Sequence, residues 1–478
     1  MDTLFYYIIL VLVTLSTQML SKNRRLVGAL SVIFFALQGA GIAYIALQEY
    51  GTTHLKYFTF DALGLTYGAL MSLMGVLVSW RSIAYLNSET IRQWRIYFLS
   101  LILLSASLMG VYMANDMAVG WIFLEATTLC TAGLIYHNRT QKALEATWKY
   151  LFVSSVGIAV AYLGVLLFAT VGAEELSFEA LRQAISNTQT NPLFMKLAFL
   201  LVLVGYSTKL EIFPLFTAPV DANHAAPAPA SAFFSSALVG GGFVSIYRVY
   251  GVMMASSQAE WTARVLLLTA VLSLIVAAVY MGRTNNYKRL LTFSTVENGA
   301  LSVLGLGLGG LFGSVGIFAA LLHSIGHTLI KGVLFLQVSV AGKLYNTYKV
   351  GRIGNYARVD TMGSLVIVLA LFSIIAVPPS LLFKSEFLLL GELLSSRVWW
   401  LIIPIAIALL TCLSWALLRF LSVVFAHTSS QATLPPKQSF SCFSLVLALI
   451  LGVLFYAGVI EVEPLRELIE QIIVENNG

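Results

Sequence analysis

The stretch GSVGIFAALLHSIGHTLIKGVLFLQVSV, residues 313–340, decides the fold. It runs for 28 residues with Lys331 as its one Asp, Glu, Lys or Arg. A helix needs about 20 apolar residues to cross the hydrocarbon core of a bilayer, so this run is long enough. Inside it, His323, His327 and Lys331 stand at i, i+4 and i+8, a spacing that stacks them along one helix face. Ionisable groups are costly in a membrane and are functional candidates by default. Histidine titrates near neutral pH, and three protonatable groups in register can pass a proton along bound water. The HxxxH spacing is half of a zinc site, but the Glu of HExxH is missing, so no metal is expected. Two histidines on one helix also cannot be the two axial ligands of one haem.

Composition extends this reading to the whole chain. Hydrophobic types make up 59% of the 478 residues and charged types 10%, against roughly 45–50% and about 25% in soluble domains. The 28 Lys and Arg and 22 Asp and Glu are too few to cover a soluble globule. A soluble enzyme, a disordered chain and a disulfide-rich module are excluded, which leaves an all-α, polytopic membrane protein. The net charge of +6 suits the positive-inside rule and calls for no nucleic acid. Cys130, Cys412 and Cys442 form no CxxC pair, so no iron–sulfur or zinc site is expected, and the three read as packing residues. Gly305, Gly307 and Gly310 match GxGxxG but follow no strand and end an apolar run, so they mark close helix packing and not a dinucleotide site. The first apolar run follows Asp2 with no basic segment before it and reads as a mature helix.

Apolar runs between charged or Pro, Gly and Asn breaks give about 14 spans: 3–20, 26–48, 60–84, 96–113, 116–137, 147–171, 193–216, 229–254, 262–282, 288–309, 313–340, 362–392, 398–425 and 441–460. The seventh is interrupted near Lys209, Pro214 and Pro219, and the twelfth at Pro378-Pro379. Proline removes a backbone donor and clashes with the preceding turn, so helices 7 and 12 should be broken. Unwound backbone at membrane depth is tolerated only inside protein or beside a watery cavity. The odd-numbered loops hold 17 Lys and Arg and the even-numbered loops and C-terminus hold 7. Both termini should therefore face away from the cytoplasm, in the cell inner (plasma) membrane. Residues 175–188 and 461–474 look amphipathic and are expected to lie on the outer face of the bilayer, with docking to a neighbouring subunit as the alternative.

The intramembrane charges are ordered. Glu125 lies in span five, Glu145 and Lys149 in span six, and Lys209 at the break of span seven. Glu297 lies in span ten, His323, His327 and Lys331 in span eleven, and Lys384 and Glu386 at the break of span twelve. Glu125 and Lys209 are 84 residues apart, and Glu297 and Glu386 are 89 apart. Two copies set five spans apart are inverted with respect to each other, and inverted repeats with broken helices belong to ion-coupled transporters. The expected organisation is a three-helix segment at 1–95, a first five-helix repeat at 96–254, an inverted second repeat at 262–425, and a last span with an amphipathic tail at 441–478. Glu125 precedes Thr127, Thr128 and Thr131, with Lys209 or Lys149 as its expected partner; breaking such a pair releases a proton.

These stretches resemble a known family. FLEATTL (123–129), ALEATWKYLFVSSVGIA (143–159), LVGYSTKLEIFPL (203–215), APAPASA (226–232), YKRLLTFSTVENGALSVLGLG (287–307), LLHSIGHTLIKGVLFL (321–336) and VPPSLLFKSEFLLL (377–390) are similar to the antiporter-like membrane subunits of complex I and of group 4 membrane-bound hydrogenases. ALEA-x-x-KY-L and STVEN point to the hydrogenase branch, that of the hydrogenase-4 F component. The resemblance implies that Glu125 matches the glutamate of helix five and Lys209 the lysine of broken helix seven. It assigns His323, His327 and Lys331 to the helix-eleven relay and Glu386 to the charged position of broken helix twelve. It further implies no redox cofactor on this chain and electron transfer in peripheral partner subunits that drives ion movement beside other membrane subunits.

The first half departs from the family pattern. The usual Lys or His of helix eight falls on Gly240, within Gly240-Gly241-Gly242. PLHxWLPDAH becomes PLFTAPVDAN, so Phe216 and Asn223 replace two histidines, His224 sits one place off, and Glu211 and Lys384 are added charges. Water, His224 or the Ser235 and Ser236 hydroxyls are the candidates to bridge the gap; otherwise the first half does not conduct. The expected function is proton translocation coupled to redox chemistry elsewhere. The alternatives are a Na⁺/H⁺ antiporter module and a non-conducting structural spacer. No nucleophile–base set supports an isolated-chain enzyme.

Overall fold

The computed structural model describes residues 3–171, 175–187, 191–426, 435–436, 441–460 and 462–477. Residues 188 and 461, at the ends of the expected interfacial segments, and Lys437 lie outside the described residues.

The chain forms two compact units. The first spans Met1–Val265 with Glu470–Gly478, and the second spans Leu266–Ile469. The first holds α1 (Thr3–Leu20), α2 (Arg24–Gln48), the hairpin β1 (Thr53–His54) and β2 (Phe58–Thr59), α3 (Ala62–Tyr85), α4 (Ile91–Met113), α5 (Met117–Ile135), α6 (Gln141–Ala169), α7 (Phe178–Asn187), α8 (Pro192–Leu210), α9 (Thr217–Ala225), α10 (Ala228–Phe233) and α11 (Val239–Met254). The division falls inside α12 (Ala259–Arg283). The second unit holds α13 (Tyr287–Phe312), α14 (Ser314–Leu344), α15 (Tyr356–Val359), α16 (Thr361–Ile374), α17 (Leu381–Ser395), α18 (Ile402–Phe425), α19 (Cys442–Val459) and the start of α20 (Glu463–Asn477).

Among the described residues, 12 helices are long and apolar enough to cross a membrane. Two expected spans take another form. Residues 288–309 belong to the 26-residue α13, whose apolar character Lys288, Arg289 and Glu297 dilute. Residues 362–392 divide into α16 of 14 residues and α17 of 15, each short for a crossing alone. In an apolar medium the free N–H groups at helix starts need partners within the chain. Short polar side chains supply them: Asp61 accepts from Gly64, Asp116 from Ala118 and Val119, Thr140 from Ala143, and Asn286 from Lys288 and Arg289. Thr90 and Gln93 close a capping box at α4.

Both breaks fall at the prolines. α8 stops at Leu210, and Glu211 turns into the left-handed region at φ 61°. The chain then passes through Phe213-Pro214 before α9 begins. In the second unit α16 ends at Ile374, Ala376 is left-handed at φ 52°, and Ser380 caps α17 through the Phe383 N–H. The most enclosed helices hold the cores. Every residue of α11 from Val239 to Met253 is buried, and most of α13 and α14 is buried as well.

The tail differs from the expectation of a helix resting on the bilayer. Residues 470–477 dock on the first unit at the end that carries the β-hairpin, here termed the hairpin end. Glu475 accepts the Ala62 N–H at 3.0 Å and the Tyr50 hydroxyl, and Asn476 Nδ2 donates to the Tyr247 carbonyl at 3.0 Å. Gly251 admits this contact, since a Cβ there would lie 2.6 Å from the Asn476 carbonyl oxygen. The physical reason is satisfaction of polar ends: the tail carboxylate takes up a first-turn N–H of α3 that the N-cap Asp61 leaves over. α7, the other amphipathic segment, buries Phe178, Leu181 and Ile185 on one face.

Candidate functional site

In the first unit Lys209 and Glu125 are joined by a short chain of hydrogen bonds. α6 and α8 approach until a Cβ on Gly205 would sit 2.4 Å from the Gly157 carbonyl oxygen. Such small residues let helix backbones meet, and the contact sets the last turn of α8 against α5 and α6. Lys209, only 1% exposed, donates from Nζ to the Thr128 hydroxyl at 2.7 Å and to the Tyr150 hydroxyl at 3.2 Å. Thr128 in turn donates to Glu125 Oε2 at 3.3 Å, and Ser155 donates to Glu125 Oε1 at 2.6 Å. The expected partnership of Lys209 with Glu125 therefore runs through the Thr128 oxygen, which accepts on one side and donates on the other. Glu125 and Thr128 meet because three residues apart share a helix face. The Lys209 ammonium also lies at a helix C-terminus, where the backbone dipole favours a cation.

Lys149 stands apart from this group. Its side chain is half exposed and pairs with Glu145 at 2.7 Å and Asp221 at 3.7 Å. Successive residues on a helix point about 100° apart, so the inward turn of Tyr150 directs Lys149 outward. Two departures from the family pattern prove to be partners: Asn223 Nδ2 donates to the buried Glu211 Oε1 at 3.2 Å. His224 is exposed, and the Ser236 hydroxyl donates to the Ala232 carbonyl of its own helix at 2.6 Å. Of the candidates named to bridge the gap at Gly240, the chain keeps the buried Ser235 hydroxyl, which has no hydrogen-bond partner among the described residues.

In the second unit α14 carries its row inward. His323 and Lys331 are fully buried, and His327 is 4% exposed. His323 Nδ1 lies 2.9 Å from the Ser385 hydroxyl, which gives its single proton to the Leu382 carbonyl at 2.8 Å. The Ser385 oxygen must then accept, so His323 carries its proton on Nδ1 and keeps Nε2 as an acceptor. The Nε2 atoms of His323 and His327 have no hydrogen-bond partner among the described residues. Buried ring nitrogens in that condition are sites for ordered water. Glu297 of α13 lies within electrostatic reach of Lys331, and Glu386 of α17 within reach of Glu297. Lys384 and Glu386 are two residues apart on α17 and point to nearly opposite sides.

Several members escaped the sequence. Tyr150, Ser155 and Ser385 carry no pattern that marks them before the neighbouring helices are placed. Cys412, read as a packing residue, is 1% exposed and lies within electrostatic reach of the Glu297 carboxylate.

Comparison with known proteins bears on the family and the fold. Residues 114–414 match the family model described as NADH:quinone oxidoreductase/Mrp antiporter, TM. The chain is 26% identical over 449 residues to the hydrogenase-4 component F homolog of Methylacidiphilum infernorum, covering 89% of this chain and 91% of that one. It is 27% identical over 342 residues to Na(+)/H(+) antiporter subunit A1 of Staphylococcus aureus, covering 69% of this chain and 42% of that longer relative. Its fold matches a chain of the membrane-bound sulfane sulfur reductase, an archaeal respiratory membrane complex, with a TM-score of 0.85 at 19% identity, covering 98% of this chain and 96% of that one.

Proposed function

The chain belongs to the NADH:quinone oxidoreductase/Mrp antiporter transmembrane family, and we propose that it is a proton-translocating, antiporter-like subunit of a complex I-related membrane oxidoreductase of the hydrogenase-4 or NADH dehydrogenase type. The observation that carries this reading is the buried row His323, His327 and Lys331 on α14 with Glu297 beside its lysine. The two free Nε2 atoms can each take a hydrogen bond from water, and the carboxylate and amine can exchange a charge at the end of the row. In the first unit, Glu125 and Lys209 hold a charge across Thr128. Glu386 extends the second group, and Lys384 adds a cation on the far side of α17. The chain itself carries no redox cofactor in this reading; partner subunits supply the electron transfer, and other membrane subunits stand beside it.

The test uses the assembled complex in sealed membrane vesicles. Lys331→Ala and Glu297→Gln should abolish acidification while electron transfer in the peripheral subunits continues. Unchanged acidification in both variants would overturn the reading. The likeness to a Na(+)/H(+) antiporter subunit favours a second reading, a sodium–proton exchange module. Sodium dependence of the ΔpH in the same vesicles separates the two. The excess of Lys and Arg in odd-numbered loops, 17 against 7, supports a plasma-membrane orientation with both termini away from the cytoplasm. A reporter fused after residue 478 that is active only outside the cytoplasm checks it.

A further inference from the structure

α13 and α14 fold back on each other through Gly313 alone, which takes a φ of 127°. Their backbones meet at small residues. A Cβ on Gly305 would sit 2.8 Å from the Ala320 Cβ, and one on Gly316 would sit 2.5 Å from the Gly309 nitrogen. Gly305 thus faces Ala320, and Gly309 faces Gly316. Each residue back along α13 corresponds to one residue forward along α14. Continued in this way, the register sets Ser302 level with His323, Asn298 level with His327 and Ser294 level with Lys331.

The faces agree as well as the levels. At 3.6 residues per turn, positions seven or eleven apart lie within about 20° of each other around a helix. Ser302 is seven before Gly309, Asn298 seven before Gly305 and Ser294 eleven before Gly305. On α14, His323 is seven after Gly316, His327 seven after Ala320 and Lys331 eleven after Ala320. All six therefore fall on the faces by which the two helices touch. The row on α14 has a neutral counterpart on α13, whose three members are buried, at 6% exposure or less.

The middle member has an atom to spare. Asn298 Nδ2 donates to the Ser294 carbonyl at 2.7 Å. A carbonyl only accepts, so the amide is turned with its nitrogen to that side and its oxygen is the free atom. Asn298 Oδ1 is buried without a hydrogen-bond partner among the described residues, and so is His327 Nε2 at the same level. Ser302 is engaged with its own helix, since its hydroxyl donates to the Asn298 carbonyl at 3.2 Å. An amide oxygen and an unprotonated ring nitrogen both accept. They are joined by a single water that donates one proton to each.

We propose that Asn298 is a positioning residue of the proton row in the second unit: through Oδ1 it holds the water that passes a proton to His327 Nε2. The amide engages one proton of that water and so turns the other toward the ring. In the transfer an O–H bond of the water breaks as the Nε2–H bond forms. The water oxygen takes a replacement proton, relayed by further water, from the Lys331 ammonium one turn or about 6 Å along the row. The amide itself neither gains nor loses a proton. This rests on the proton-translocating reading and adds to it the group that orients the row.

The experiment measures initial rates of ΔpH formation by the assembled complex in sealed vesicles with electron donor, in H₂O and in D₂O. Asn298→Leu keeps the volume but cannot accept. It should lower the rate about tenfold, less than the loss of a proton-transfer group itself. It should also raise the ratio of the H₂O rate to the D₂O rate, because transfer from the misplaced water becomes the slow step. Asn298→Asp, whose neutral carboxyl keeps an acceptor for the water and a donor for the Ser294 carbonyl, should stay near the native rate and ratio. A native rate in an assembled Asn298→Leu complex overturns the proposal. So does a slow Asn298→Leu complex with an unchanged isotope ratio, the mark of a merely structural loss, and so does an Asn298→Asp complex as slow as Asn298→Leu. Should Asn298→Leu fail to assemble, Asn298→Ala is read by the same two measures with the same outcomes. Full loss in Lys331→Ala beside a native Asn298→Leu rate removes this role and leaves the translocation reading standing, whereas unchanged acidification in Lys331→Ala and Glu297→Gln removes that reading itself.

Discussion

The Lys209 group and the Lys331 group use similar residues in different surroundings. Lys209 is held by two neutral oxygens, and its carboxylate partner Glu125 is held by two hydroxyls. The group forms a connected hydrogen-bond chain, suited to storing one charge. The row on α14 instead leaves the Nε2 atoms of His323 and His327 without hydrogen-bond partners among the described residues. Water can complete that row, as buried water completes other unsatisfied polar groups. A lysine and a carboxylate thus stand in a completed hydrogen-bond chain in the first unit, and in the second beside two histidines whose Nε2 atoms leave positions for water.

The largest expected effect follows from that difference. Lys331→Met should lower coupled acidification by about 100-fold, the order of removing a positioned proton-transfer group. Lys209→Met should lower it by about tenfold, less than the loss of a proton-transfer group. Initial rates of ΔpH formation in the assembled complex compare the two, and equal losses would break the distinction. Next is Thr128→Val, which removes the bridge while keeping its shape. It should destabilise the chain by about 1–3 kcal/mol, the cost of leaving buried polar groups without partners. Thermal unfolding in detergent should also show that adding Lys209→Met recovers part of the loss, as expected for residues in one network.

Smaller changes sharpen the second group. Ser385→Ala deprives His323 Nδ1 of its acceptor and should cost about 1 kcal/mol of stability. It should also free the ring to exchange tautomers, which ¹⁵N spectra of labelled histidine would reveal. Cys412→Ala should slow acidification a few-fold by removing the thiol beside Glu297, while Cys412→Ser, which keeps a donor there, should stay near the native rate. Equal rates for the two variants would return Cys412 to a packing role.

Much of the fold was legible before any helix was placed. Apolar runs located the helices, and prolines located both breaks, at Leu210–Thr217 and at Ile374–Leu381. The periodicity of α14 placed its three protonatable groups on one face without reference to any other helix. Contacts between helices were less legible. Lys149 and Tyr150 are adjacent, and only the packing of α6 against α8 decides that the tyrosine turns inward and the lysine outward. The Tyr67 ring over Gly240 was equally hidden, because Tyr67 is 173 positions away in the chain and belongs to α3.

By itself, the sequence determined a helical membrane protein and the positions of its breaks. These depend on transfer of each segment out of water and on backbone chemistry, which are local properties. Tertiary structure alone decided that Thr128 joins Lys209 to Glu125, that Asn223 holds Glu211, that Cys412 meets Glu297 and that Tyr67 rests on Gly240. Each of those contacts depends on which face of one helix meets which face of another. Side-chain volume and backbone approach set that match, and no single segment contains it.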